Sequence, residues 1–355
     1  MRTRPISRRR LLKASTALAA TTVFAAPTRA AAPPASAVTP VLIEAARKEG
    51  KVVLYTSMDL PAAEKIARAF EAKYPGVSMR VERTGAERVF TRIGQEYASG
   101  IHAVDVVNSS DASHLVVWKR NGWLAPYVPE DVASHFPPEH RDDDGMFASF
   151  RVQLCVPGYN TDLVKAADAP KSFADLLDPK WAGKILKAHP SYSGTILTAT
   201  FQTARELGWS YFEKLAAQKV LQLQSAADPP KKLALGERAL MMDGSEYVAF
   251  ELKDSGKAVE LIYPTEGSPL IVGPNAVFKE APNPNAARLL QSYMLSAECQ
   301  QLSIEVGGMH SVHALTKEKP GRKAPSQIKL MKDDPVAVER ESESIKARYT
   351  KIFKV

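Results

Sequence analysis

Apolar positions recur at a helical spacing, then in short continuous runs, and the two patterns alternate down the chain. "TPVLIEAARKEG" (39–50) predicts a helix that stops at Gly50, and "KVVLYTS" after it predicts a short buried strand. "PAAEKIARAFEAKYPG" places Ala63, Ile66, Ala67, Phe70 and Tyr74 on one face, opened by Pro61 and closed by Pro75-Gly76. "VSMRVERT" alternates as a strand, "AERVFTRIGQEYASG" reads as a helix, and "AVDVVNSS" as a third strand. Strand and helix in alternation, with short loops, predict an open α/β sheet with helices on its faces.

The helix "ASHLVVWKRNGWLAPY" leads into a Pro- and Asp-rich surface section, and "FASFRVQLCVPGYN" follows as a strand. The pattern then starts again: "SFADLLDPKWAGKILKAHP", a helix from Thr195, "SYFEKLAAQK", "KKLALGERAL" and the strand-like "MMDGSEYVAF" make a second α/β unit. Two extended segments, 146–159 and 259–278, are where the chain crosses between units. "NPNAARLLQSYMLSAECQQLSIEVGG" predicts one long helix, and "DDPVAVERESESIKARYTKIF" a terminal helix with a solvated Lys/Glu face. The expected division is a leader over 1–37, a first lobe over 38–150 plus about 265–320, a second lobe over 151–264, and a helical segment over 321–355 assigned to neither. Two crossings between two lobes imply a cleft.

Charge changes the picture by its location. The 355-residue chain carries a formal net charge of +8, with 45% hydrophobic and 24% charged residues, as in a soluble globular protein. Residues 1–37 hold Arg2, Arg4, Arg8, Arg9, Arg10, Lys13 and Arg29 and no acid, so the remainder carries 8 − 7 = +1. The basicity belongs to the leader, and no nucleic-acid partner is expected. A cationic start, a modest apolar run over 11–26 and small residues at Ala35-Ser36-Ala37 make an export signal with a cleavage site. Ser7-Arg8-Arg9-Arg10-Leu11-Leu12-Lys13 resembles a twin-arginine signal; an ordinary Sec signal is the alternative. The apolar run is too short for a membrane anchor. Cys155 and Cys299 are too few for a disulfide framework and read as buried apolar residues, with one bridge between them left open.

"EGKVVLYTSMD", "DVVNSSDASHLVVWKRNGWLAPY", "SGT" at a helix start, "LALGERALMMDGSEY" and "PNPNAARLLQSYMLSAECQQ", in that order and spacing, resemble the periplasmic substrate-binding proteins of ABC importers, in the branch related to ferric-iron binders. The resemblance covers 41–355. It implies a two-lobed binding protein of type II, closing by a hinge on a small ligand and presenting the loaded form to a permease. It also implies a monomer, a Gram-negative periplasm and no catalysis.

Ligand contacts are expected in loops after strands, where helix N-termini face the crevice. Ser57 and Met58 follow the first strand, and Ser110 and Asp111 the third; each loop offers hydroxyls and N–H groups at a positive helix end, and capping alone would explain them equally. Tyr192, Ser193, Gly194 and Thr195 open a helix in the second unit. "SYSGT" lacks the first glycine of a nucleophile elbow, which leaves an exported serine hydrolase using Ser193 a distant reading. The resemblance implies that Ser193-Gly194-Thr195 binds an anion, either part of an organic ligand or the partner of iron, with a bare helix cap as the competing reading.

Asp243 and Tyr247 lie in the fourth loop. Where the resemblance implies a consecutive tyrosine pair for iron(III), this chain has Tyr247 followed by Val248, no histidine in "TSMD", and Ser110 in place of a glutamate. One phenolate is a thin set for a hard trivalent cation. The expected ligand is therefore a small organic anion such as a carboxylate, phosphonate or amino-acid-like compound. Iron(III), transported rather than held as a cofactor and bound through Tyr247, is the alternative. Glu266 could meet an ammonium and Arg151 an acid, with hinge salt bridges or solvated charges as the competing reading, and Tyr192 and Tyr247 could wall the pocket or equally pack in the core. His310 and His313 follow Gly307-Gly308 and read as surface residues.

Overall fold

The structure is a computed structural model that describes residues 31–355, so residues 1–30 of the expected 1–37 leader lie outside the described residues. The predicted order holds at the start: α1 (Pro40–Glu49), β1 (Lys51–Thr56), α2 (Leu60–Lys73), β2 (Ser78–Arg83), α3 (Ala86–Ala98), β3 (Val106–Asn108) and α4 (Ala112–Arg120). Thr39 caps α1 by accepting from the Leu42 N–H at 3.2 Å, and Gly50 ends it in the left-handed region at φ 74°. The apolar face of α2 is buried as its period requires. Phe70 sits with the rings of Tyr74 and Tyr293 at 5.3 and 5.5 Å; complete burial of such a side chain contributes roughly 1.5–3 kcal/mol.

After α5 (Glu130–His135) come β4 (Ala148–Leu154) and β5 (Gly158–Asn160), then β6 (Ile185–Ala188), α6 (Gly194–Leu207), α7 (Trp209–Ala217), β7 (Leu221–Leu223), α8 (Asp228–Ala234), β8 (Leu240–Met241), α9 (Glu246–Asp254) and β9 (Val259–Leu261). The chain ends with β10 (Ser268–Val277), α10 (Pro284–Met294), α11 (Ala297–Gly307), β11 (Leu330–Met331) and α12 (Pro335–Phe353). One sheet has the order β11-β10-β3-β1-β2 with β4 on β10, the other β7-β6-β8-β5-β9. In the first, β1 is parallel to β2 and β3, and β10 runs antiparallel to β3 and β4. In the second, β6 is parallel to β7 and β8, and β5 antiparallel to β8 and β9. Parallel neighbours joined through helices carry the carboxyl ends of β1, β2, β3, β6 and β8 toward one crevice.

The first crossing is 155–157. The expected boundary after 150 falls inside β4, which stays paired with β10 through Leu154 against Leu270. The return crossing is 262–267, between β9 and β10. Two predicted elements differ. The long helix over 283–308 is two helices, because the Ser296 hydroxyl accepts from the Cys299 N–H at 3.3 Å and starts α11. The strand-like 241–250 ends as a strand at Met241, and Tyr247 lies in the first turn of α9. Cys155 and Cys299 are both buried and not bonded to each other.

The terminal helix belongs to neither lobe alone. It packs on α4 and also on α6 and α7. Lys346 meets Glu87 of the first lobe at 2.7 Å, and the Tyr349 hydroxyl donates to Gln222 of the second at 2.9 Å. Among the described residues no helix is long and apolar enough to cross a membrane.

Candidate functional site

The crevice between the lobes narrows to a small polar cavity. Ser57, Arg83, Gly85, Ala86 and Ser110 line it from the first lobe. Ser193, Thr195, Ser225, Ala226, Ala227, Ser245 and Tyr247 line it from the second, with Arg151 and Gln153 coming from β4 at the hinge. No carboxylate is among these residues.

Each group is placed by the end of a strand or the start of a helix. The Ser57 hydroxyl, just past β1, accepts from the Ser110 N–H at 2.9 Å, tying two loops together. Gly85 and Ser245 precede α3 and α9 with no side-chain cap, so the positive ends of these helices are left to face the cavity. Ser193 caps α6 by accepting from the Ile196 N–H at 3.4 Å, and Thr195 Oγ1 accepts from Gln153 Nε2 at 3.1 Å.

Arg151 is 1% exposed, and its Nε and Nη1 have no hydrogen-bond partner. Burial lowers its pKa from the ordinary guanidinium value, and only Tyr247 offsets this, its ring 5.8 Å away. Gly273 on β10, the register partner of Arg151, makes the room: a Cβ there would lie 2.8 Å from Arg151 Cγ. A buried, unpartnered guanidinium is costly and is compensated by an anion reaching it. Arg83, at the carboxyl end of β2, adds a second cation; its Nε donates to the Met58 carbonyl and its Nη2 to Ser225 of the other lobe, at 3.2 and 3.3 Å.

The lobes are in contact across the cleft. A Cβ on Gly85 would lie 2.4 Å from the Tyr192 carbonyl oxygen, and one on Gly194 2.5 Å from Asp111 Cβ. Lys231 meets Asp59, and Arg88 donates to Gln224, both at 2.8 Å.

Of the sequence candidates, Ser57, Ser110, Ser193, Thr195 and Tyr247 line the cavity. The structure gives the others different partners. Met58 is in the first lobe's core, and only its carbonyl reaches toward the site, through Arg83. Asp111 caps α4 by accepting from the Ser113 N–H, and Gly194 serves by letting Asp111 pack against it. The Tyr192 ring is 41% exposed beneath Arg88, so it walls no pocket. Asp243 accepts from Lys187 Nζ at 2.5 Å and from the Ala188 N–H at 2.9 Å, both buried. Glu266 accepts from the Phe173 and Ala174 N–H groups, closing a turn of the second lobe. Asp243→Asn should therefore destabilise the fold by about 3–5 kcal/mol by stranding Lys187, while ligand affinity stays unchanged; urea unfolding beside a binding titration checks both.

His310 and His313 are buried, contrary to the surface expectation, because the chain after α11 returns to pair with Val152 of β4. His310 lies between Glu246 Oε2 at 3.0 Å and Glu318 Oε1 at 2.7 Å, and Tyr263 donates to Glu246. Burial opposes its charge, but the two carboxylates outweigh that and push its pKa up to about 9. Against an unfolded value of about 6.5, the raised pKa stabilises fully below that pH, and the gain is lost as pH rises through about 9. The unfolding free energy should fall between these pH values by an amount on the order of 3 kcal/mol, lowering the thermal midpoint. His310→Asn should flatten that slope in a pH series of thermal melts.

Glu87, Asp111 and His114 bring three ligand-type atoms within 4.8 Å of one another. Lys346 Nζ already lies 2.7 Å from Glu87, and His114 Nε2 3.1 Å from it. The cluster is thus an ion network holding α12, off the cavity.

Two mixed α/β sheets with two crossings and a closed polar cleft define the class of two-lobed binding proteins. The model of the bacterial extracellular solute-binding protein family matches residues 65–314, and the chain belongs to that family. Among similar proteins, an uncharacterised protein of Haemophilus influenzae is 24% identical over 302 residues, 82% of this chain and 86% of that protein. The periplasmic binding protein AfuA from Actinobacillus pleuropneumoniae, with fructose-6-phosphate bound, matches with a TM-score of 0.79 and 23% identity over 86% of this chain and 99% of that one. Iron-bound HitA from Pseudomonas aeruginosa matches with a TM-score of 0.73 and 23% identity, over 85% and 99%. Of these two structures, one holds a sugar phosphate and the other iron.

Arg83, Gln153, Ser225 and the starts of α3 and α8 were missed by sequence reasoning. Arg83 had a signal, since it ends an alternating strand on the side where crevices form; Ser225 follows a three-residue strand with no period to read.

Proposed function

We propose that this chain is a periplasmic receptor of an ABC importer, closing as a monomer on a small organic anion anchored by a phosphate or phosphonate group and delivering it to the permease. The observation that carries this reading is Arg151, buried at the floor of the cleft with two nitrogens unpartnered. Arg83 supplies a second positive charge, and the uncapped starts of α3 and α9 a third and fourth partial one. Such a set suits a dianion whose oxygens point in three directions, where a planar carboxylate would leave donors idle. Without a lining carboxylate, an ammonium at this depth would be unpaired. The ligand is therefore a phosphorylated or phosphonate compound whose reach into this cavity is uncharged apart from that group. The fructose-6-phosphate of the Actinobacillus protein is of the same chemical class.

Iron(III) fits the cavity less well. The Tyr247 hydroxyl accepts from the Asp59 N–H at 3.0 Å, and burial raises its pKa, the wrong direction for a phenolate ligand. Two guanidiniums repel a trivalent cation. A hydrolase reading has little support, because Ser193 caps its helix and no histidine among the described residues bonds to it. A thermal-shift panel of phosphate monoesters, phosphonates, carboxylates and ferric iron tests the proposal. A phosphorylated ligand at 100 times its Kd should stabilise by about 2.7 kcal/mol and leave the protein colourless. An absorption band with iron, and no response to any phosphorus compound, would overturn it.

A further inference from the structure

Residues 31–37, the last part of the expected leader, are docked on the first lobe. The Ser36 N–H donates to the Val128 carbonyl at 2.8 Å, and the Ser36 carbonyl accepts from the Glu130 N–H at 3.1 Å, a parallel bridge centred on Pro129. Ala32 and Pro33 lie over Gly145, whose added Cβ would sit 3.3 Å from Ala32 Cβ and 3.0 Å from Pro33 Cδ. The same residues, with Ala35, close one side of a cavity lined by Tyr127, Val128 and Phe147 and by the charged Arg141, Asp142 and Asp143. Pro33 and Pro34 favour the extended backbone such docking needs. Beyond the bridge, Thr39 caps α1.

A signal peptidase reads an extended stretch ending in small residues. If it cut after Ala37, Ala35-Ser36-Ala37 would have to lie extended in the enzyme while both backbone groups of Ser36 are bonded to the lobe. A protein sent through the twin-arginine route is folded when the peptidase meets it, so that competition occurs with the bridge already made. Directly ahead of the docked run, Thr28-Arg29-Ala30 also supplies a small residue, any residue and alanine.

We infer that the leader is removed at the Ala30–Ala31 bond, and that 31–37 stays in the mature protein as a docked edge of the first lobe. Water adds across that amide, the C–N bond breaks, Ala30 leaves with the leader as a carboxylate, and Ala31 becomes the amino terminus. The inference rests on residues 1–30 being an export signal of the twin-arginine type, since a Sec substrate would meet the peptidase before the bridge forms. It does not depend on the ligand.

The test is intact mass and amino-terminal sequencing of the full-length chain expressed in a Gram-negative host and recovered from the periplasm. The expected amino terminus is Ala31. Ala30→Phe should block processing, and Ala37→Phe, at an exposed position, should leave it unchanged. A protein starting at Val38, or processing lost in Ala37→Phe and kept in Ala30→Phe, overturns the inference while sustaining export. A chain still beginning at Met1 overturns both the inference and the export reading beneath it.

Discussion

Arg151→Met is expected to abolish tight ligand binding while leaving the empty protein as stable as before, or more so. Truncating one partner of a buried, hydrogen-bonded charge pair costs about 2–5 kcal/mol, roughly 30- to 5,000-fold in Kd. In the unliganded protein the guanidinium has no such partner: Nε and Nη1 are unpaired, and burial together with the nearby Arg83 charge lowers the pKa. Replacing it with an apolar chain of similar length removes an uncompensated buried charge, which relieves the fold. The two readouts thus move in opposite senses, which a structural arginine would not allow. A structural role predicts a lower unfolding midpoint for the empty variant, so calorimetric titration beside a thermal melt separates the two.

Gly85→Ala should weaken binding by a different route, by holding the lobes apart. Gly85 has φ −62° and ψ 148°, a conformation alanine adopts without strain. Its added methyl would stand 2.4 Å from the Tyr192 carbonyl oxygen, an atom of the opposite lobe's backbone that cannot swing aside. Overlap of this kind costs roughly 1–3 kcal/mol, and it falls on the closed state only. Affinity should drop about 5- to 150-fold, as for any coupling of that size, with each lobe still folded. Small-angle scattering should show a wild-type chain that compacts on adding ligand and a Gly85→Ala chain that compacts less. Equal compaction in both would mean that Gly85 and Tyr192 do not meet in the bound form.

Much of the fold could be read from the alternation of periods. The first unit from Thr39 to Tyr127 follows directly from helical faces such as Ala63-Ile66-Phe70 and from short apolar runs such as "VVLY". Failures came where a period is interrupted by a local hydrogen bond or by a tertiary partner. Ser296 cuts one apparent helix into two, and Tyr247 is helical because α9 begins just after a two-residue strand. In the site, the rule that crevices form at strand ends was enough for Ser57, Ser110, Ser193 and Thr195. It was not enough for Asp243 or Glu266, whose charges are taken by Lys187 and by backbone N–H groups. Nor does a sequence show that His310 is clasped by Glu246 and Glu318 from distant segments. Arg151 stood in the sequence as one of two charges near a crossing; burial without a partner, visible only in three dimensions, separates it from Glu266.

The central claim is that a phosphorus oxyanion, and not the remainder of the ligand or a metal, supplies the main anchor in this cleft. Calorimetric titration tests it directly, using protein emptied by unfolding and refolding, a set of phosphate monoesters and phosphonates, and each parent compound lacking the phosphorus group. At least one phosphorus compound should bind at micromolar Kd or tighter, and its parent at least about 100-fold more weakly, the equivalent of two charge-assisted contacts. Parents binding as tightly as their phosphorus derivatives, or heat only with ferric iron, would contradict the account.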